Sequence, residues 1–143
     1  MLIVATGVKS YAAGLIHSIQ LRTAASRIRN QLVCAKTRAL RDSRVHCGVF
    51  FDTISEPQRV LTFFDEGALG FYTNGVDAAY MAPFNLPGTV TLSIRGNEAD
   101  NAIVFRGDGS TNIHGMQISV SLKDRKKIIS VLPSTGRIKI IDQ

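Results

Sequence analysis

The sequence predicts an α+β fold, with a long N-terminal α-helix packed on an antiparallel β-sandwich-like head. Three observations carry that expectation. A helical pattern without proline runs from about Val8 to Asp42. After Ser43 the apolar period drops from about 3.6 residues to two. From there to the C-terminus, short apolar runs alternate with clusters of turn-forming residues at hairpin spacing. The expected division is a helix over 1–43 and a β-rich head over 44–143, within one structural domain. A chain of 143 residues suits a single core.

In the helical segment Ala and Leu are frequent, and Gly14 is the one glycine between Val8 and Asp42. Ile16, Ile19, Ile28, Leu32, Ala35 and Ala39 read as one apolar stripe. Arg22, Arg27, Arg29, Lys36, Arg38 and Arg41 fall mostly off it, which makes Arg22, Arg27 and Arg29 candidates for a subunit interface. A helix of ~35 residues is about 50 Å long, more than the diameter of a small domain. Part of it must therefore project or be covered by other chains. The opening residues Met1-Leu2-Ile3-Val4-Ala5 are apolar and in register with this helix. They read either as the stump of a longer apolar helix or as an ordinary frayed terminus. No stretch reaches the ~18–20 apolar residues of a membrane span.

The first expected strand alternates Val45, Cys47, Val49 and Phe51 against His46, Gly48 and Phe50. Further strands are expected at Arg59–Phe64, Thr89–Ile94, Ala102–Arg106, Met116–Leu122, Lys127–Leu132 and Arg137–Ile141. Asp65-Glu66-Gly67, Gly107-Asp108-Gly109-Ser110, Lys123-Asp124-Arg125 and Pro133-Ser134-Thr135-Gly136 supply turns between them. Tyr72–Pro87, with Gly75, Pro83 and Pro87, reads as a long connection.

The net charge of +6 is unevenly spread. Residues 1–50 carry eight basic and one acidic side chain, residues 51–122 three and eight, and residues 123–143 six and two. A basic start, acidic middle and basic end suit head-to-tail contact between copies, a nucleic-acid face, or a solvated surface of uneven composition. The composition is that of a globular chain, with 45% hydrophobic and 20% charged residues, and excludes a disordered one.

Catalytic chemistry finds no support. His17, His46 and His114 lie on three separate elements without metal-ligand spacing, so no metal and no cofactor is expected. No nucleophile motif surrounds either cysteine, and Gly107-Asp108-Gly109-Ser110 lacks the lysine of a phosphate loop. The chain therefore reads as a non-enzyme. Cys34 and Cys47 are a candidate disulfide in an oxidising compartment and two buried thiols otherwise. Lys123, Arg125, Lys126 and Lys127 crowd one turn, and Arg137 and Lys139 alternate with Ile138 and Ile140. These six form a candidate DNA-binding set through phosphate contacts. The competing and favoured reading is an edge strand protected by charge.

Three stretches carry a resemblance. Leu21-Arg22-Thr23-Ala24-Ala25-Ser26-Arg27-Ile28-Arg29-Asn30-Gln31-Leu32, continued by Ala35-Lys36-Thr37-Arg38-Ala39-Leu40-Arg41, resembles the post-membrane helix of the GspH/FimT family. Ile103-Val104-Phe105-Arg106-Gly107-Asp108-Gly109, then Thr135-Gly136-Arg137-Ile138-Lys139-Ile140, resemble that family's later strands. Its members are minor pseudopilins of type II secretion and minor type IV pilins. The resemblance implies a type IV pilin-like fold and a structural subunit partnered by other pilin or pseudopilin subunits in a filament. It also implies a bacterial inner-membrane anchor, through an N-terminal apolar helix of which the first dozen residues would be the end, and a periplasmic or pilus-surface head. Family members that bind DNA during natural transformation use cations after the closing glycine, where Gly136, Arg137 and Lys139 match in part. DNA uptake is accordingly the alternative function.

Overall fold

The computed structural model describes residues 2–67, 69–96, 100–114 and 116–143, with side chains described from Tyr11 onward. Helix α1 spans Leu2–Arg41. Eight strands follow: β1 (Cys47–Asp52), β2 (Arg59–Phe64), β3 (Phe84–Asn85), β4 (Thr91–Arg95), β5 (Ala102–Phe105), β6 (Gln117–Leu122), β7 (Arg125–Val131) and β8 (Ile138–Asp142). They form two four-stranded antiparallel sheets, ordered β3-β2-β1-β5 and β4-β6-β7-β8. The C-terminal half of α1 packs against both, and one apolar cluster joins helix and sheets.

The departures from the sequence expectation have local causes. The helix runs without interruption back to Leu2, through a stretch free of proline. Strand β1 starts at Cys47 because Val45 is still in the turn that leaves the helix, its amide donating to the Asp42 carbonyl at 2.9 Å. Strand β7 starts at Arg125 because Lys123 takes a positive φ of 56°, which closes the β6–β7 hairpin two residues after Leu122. Within the expected connection 72–87, Phe84 and Asn85 pair with Val60 and Arg59 to make β3. A two-residue strand leaves too short a pattern to be read from sequence.

Two glycines are required by close approach. An added Cβ at Gly48 would lie 2.8 Å from the Phe63 ring and 2.9 Å from the Ile103 carbonyl, so β1 fits between its neighbours only without a side chain. Gly136 combines a φ of +65° with a Cβ position 2.4 Å from the Gly109 carbonyl. It thereby locks the turn before β8 onto the loop after β5.

Candidate assembly interface

The two halves of α1 have different surroundings. Leu21, Ala24, Ala25, Ile28, Leu32, Ala35 and Ala39 are all buried against the head. Towards the N-terminus the apolar side chains are bare: Tyr11 is 77% exposed, Leu15 52%, Ile16 54% and Ile19 56%. The single stripe expected from sequence is therefore two. Ile19 lies about two and a half turns before Ile28, on the opposite side of the helix, and Ile16 is also displaced from the buried line. Val33 and Leu40, both exposed, continue the outward line of Leu15 and Ile19 further along the helix.

The three arginines named as interface candidates also separate. Arg22 and Arg29 lie on the outward line between Ile19 and Val33. Arg27 sits on the other flank, its guanidinium 4.4 Å from the centre of the Phe84 ring, and so helps fasten the helix to the head. Arg38 likewise lies 5.6 Å from the Phe64 ring centre.

The six cations of the candidate DNA set do not form one cluster. Lys127 points to the helix side of its sheet and forms an ion pair with Asp142. Arg125 reaches back to Gly14 of the helix, and Lys123 stands at the hairpin tip. Lys126 and Lys139 share the opposite, solvent-facing side of the sheet, with Arg137 just before β8. The registers add Arg95, which the sequence reading ended one residue short of, and a set of hydroxyls: Thr91, Ser93, Ser119, Ser121 and Ser130. Alternation leaves no acidic side chain on this side of β4, β6, β7 and β8.

Three acids of the middle block, Asp52, Asp65 and Asp77, are buried, while Glu56, Glu66, Asp100 and Asp108 are exposed. Asp52 accepts bonds from Ile54, both donors of Ser55, and Arg59 at 2.9 Å. Burial raises its pKa, but the bonds from Ser55 and then Arg59 and Ile54 outweigh it, holding the carboxyl down at about 2. Asp77 accepts the amides of Glu66, Gly67 and Thr73 at 2.6–2.7 Å and so shapes the loop after β2. Asp65 is buried, and burial pushes its pKa up against a single amide bond from Gly70.

Cys34 and Cys47 are free thiols, so the candidate disulfide is not formed. Cys47 is fully buried, and burial drives its pKa up to about 12, against the pull of Arg38. It is an inert core group. Among the described residues no group of three or more His, Cys, Asp or Glu is placed to hold a metal ion. No described helix is long and apolar enough to cross a membrane.

A long helix docked by one half into a two-sheet antiparallel head, with an apolar half left over, is the architecture of type IV pilin-like proteins. The solved structures agree. The minor pseudopilin EpsH of the type 2 secretion system of Vibrio cholerae superposes with a TM-score of 0.65 at 13% identity, over 86% of this chain and 97% of that one. The type IV minor pilin FimU of Pseudomonas aeruginosa gives TM-scores of 0.63 and 0.65 in two crystal forms, at 17% and 16% identity, over 85% and 87% of this chain and 92% and 90% of those chains. No protein-family model matches the sequence, and no curated protein does. The chain has a minor-pilin fold.

Proposed function

We propose that the chain is a structural subunit, not an enzyme, of a filament of the pilus or pseudopilus kind. The observation that carries this is the bare apolar half of α1: Tyr11, Leu15, Ile16 and Ile19, each more than half exposed. A contiguous apolar face of this kind marks a partner surface. The fitting partner is the helix of a neighbouring subunit, with Arg22 and Arg29 flanking the contact and the head facing outward. An inner-membrane location before assembly and a periplasmic head belong to the same proposal. Both type II secretion and type IV pili fit it, as one structural neighbour comes from each. The test is replacement of Leu15 and Ile19 by Asp in the natural gene, read by filament assembly or secretion, with Arg22→Glu plus Arg29→Glu as a second pair. Loss of assembly with an unchanged head is expected. Normal assembly in both variants would sink the proposal.

A second reading has its own observation. Arg95, Lys126, Lys139 and Arg137 stand on or beside one acid-free, hydroxyl-rich sheet face, an arrangement suited to phosphates. A mobility shift with duplex DNA should weaken steeply with salt and on Arg95→Ala plus Lys139→Ala, whereas Lys127→Ala should matter less. No shift at low salt ends this reading.

A further inference from the structure

The edge strands of the two sheets are not treated alike. Strand β3 is two residues long and offers almost no edge. The outer side of β5 is taken up by Asn112. The Val104 amide donates to the Asn112 Oδ1 at 2.8 Å, the Asn112 amide donates to the Val104 carbonyl at 3.2 Å, and Asn112 Nδ2 donates to the Ala102 carbonyl at 3.3 Å. The outer side of β4 is closed by Gln58, whose Oε1 accepts the Leu92 amide at 2.7 Å and whose Nε2 donates to the Leu92 carbonyl at 3.1 Å. Strand β8 has no such cap among the described residues.

Its register shows which groups are left over. The Leu132 amide donates to the Arg137 carbonyl at 2.8 Å, and the Gln143 amide to the Lys126 carbonyl at 3.1 Å. Hydrogen-bonded and non-bonded pairs alternate along an antiparallel ladder, so Lys139 and Ile141 also bond to β7. The N–H and C=O groups of Ile138, Ile140 and Asp142 therefore point away from the sheet. The side chains of Ile138 and Ile140 pack at the margin of the core. On the other side of the strand, Arg137, Lys139 and Ile141 line a pocket of about 280 Å³ with Ser130 and Leu132. Leu132 is 50% and Ile141 46% exposed. Among the described residues neither Arg137 nor Lys139 has an ion-pair partner, and no acidic side chain of β4, β6, β7 or β8 shares their side.

We propose that β8 accepts an added strand: an extended segment of another polypeptide, acidic on one face and apolar on the other. Its backbone pairs with the outward groups of Ile138, Ile140 and Asp142. Its acidic face meets Arg137 and Lys139, and its apolar face extends the core beside Ile138 and Ile140. Charge that turns away a basic strand selects an acidic one. The β8 of a second copy fits less well, because pairing would bring two sets of Arg137 and Lys139 to one face with no acid between them. The site does not depend on the filament reading, because every residue in it belongs to the head.

The test is an NMR titration of the whole chain with three heptapeptides. The first alternates valine with glutamate, the second alternates valine with lysine, and the third is the first N-methylated at every amide, which leaves it no donor for the edge. Saturable shifts and slowed exchange at the Ile138 and Ile140 amides are expected with the first peptide and with neither of the others. Arg137→Glu plus Lys139→Glu, at exposed positions, should weaken the glutamate peptide by about tenfold or more and admit the lysine peptide. Ile140→Pro removes one outward N–H and should abolish the protection, and the charge pair keeps the proposal testable if that variant fails to fold. Equal binding of the glutamate peptide and either control, or no protection with any peptide, would overturn the proposal. Protection that grows with protein concentration in the absence of peptide would overturn it in favour of a second copy. Shifts on this face with duplex DNA and with no peptide would overturn it in favour of nucleic acid.

Discussion

The two halves of α1 are made of similar residues and have opposite fates. Between Leu21 and Ala39 one line of apolar positions faces the two sheets and is almost fully covered, whereas between Tyr11 and Ile19 the apolar side chains face solvent. Helix propensity does not distinguish them, for both are rich in Ala, Leu and Ile. The difference is that the head reaches only one of them. The covered half stabilises the fold, and the bare half is the surface that the proposed function assigns to a neighbouring subunit.

The largest expected effect breaks this comparison directly. Leu32→Ala removes a fully buried side chain from the helix–sheet contact and should cost about 2–5 kcal/mol in urea unfolding of the isolated protein. Ile19→Ala removes a side chain that is already 56% exposed and should change stability by ~0.5 kcal/mol or less. Equal losses would mean that the N-terminal half is covered by its own head in solution.

A pair of glycines gives the next largest contrast, with opposite signs. Gly136→Ala should destabilise by about 1–3 kcal/mol or more, because it adds a Cβ at a positive φ and in collision with the Gly109 carbonyl. Gly14→Ala, in the bare half, should stabilise by roughly 0.5–1 kcal/mol, since the new Cβ meets only the Arg125 guanidinium at 3.7 Å. Thermal melting of both variants checks the signs.

Acid should loosen the head before it affects the bare helix. Asp52 titrates at about 2 in the folded protein and near 3.9 when unfolded. Its folded value is depressed, so its contribution is complete above the unfolded value and disappears as pH falls towards 2. After allowance for solvent screening that contribution is roughly 1–2 kcal/mol. Amide exchange between about pH 5 and 2 should quicken first in the Asp52–Arg59 turn, and Asp52→Asn should flatten the dependence.

How much of this was legible in the sequence differs by element. β2 was bounded correctly as Arg59–Phe64 because its apolar run ends in the turn formers Asp65-Glu66-Gly67. The helix was legible as a helix, but its apolar residues were merged into one stripe. Periodicity alone does not say where the covering sheets stop, and small errors in angle accumulate over several turns. The basic sheet face was half legible: Lys126, Lys139 and Arg137 were named, but Arg95 joins them only through the β4–β6 and β6–β7 registers. The burial of Asp65 was not legible, because it depends on the loop after β2 turning back so that the Gly70 amide donates to it. Nothing local marks Asp65 as buried.

The smallest expected effect sharpens the comparison at the boundary between the halves. Sequence grouped Arg22, Arg27 and Arg29 by composition, and geometry divides them. Arg27 lies over the Phe84 ring, at the edge of the head, so Arg27→Ala should cost about 0.5–1 kcal/mol of subunit stability. Arg29 faces outward from the same helical turn, so Arg29→Ala should leave unfolding unchanged and register only in assembly. The discriminating measurement is a double-mutant cycle of Arg27→Ala with Phe84→Leu, against Arg29→Ala with the same change. A coupling of several tenths of a kcal/mol in the first cycle and none in the second places the division between head and interface within two residues. Coupling in both would return the three arginines to one group and move the interface off this part of the helix.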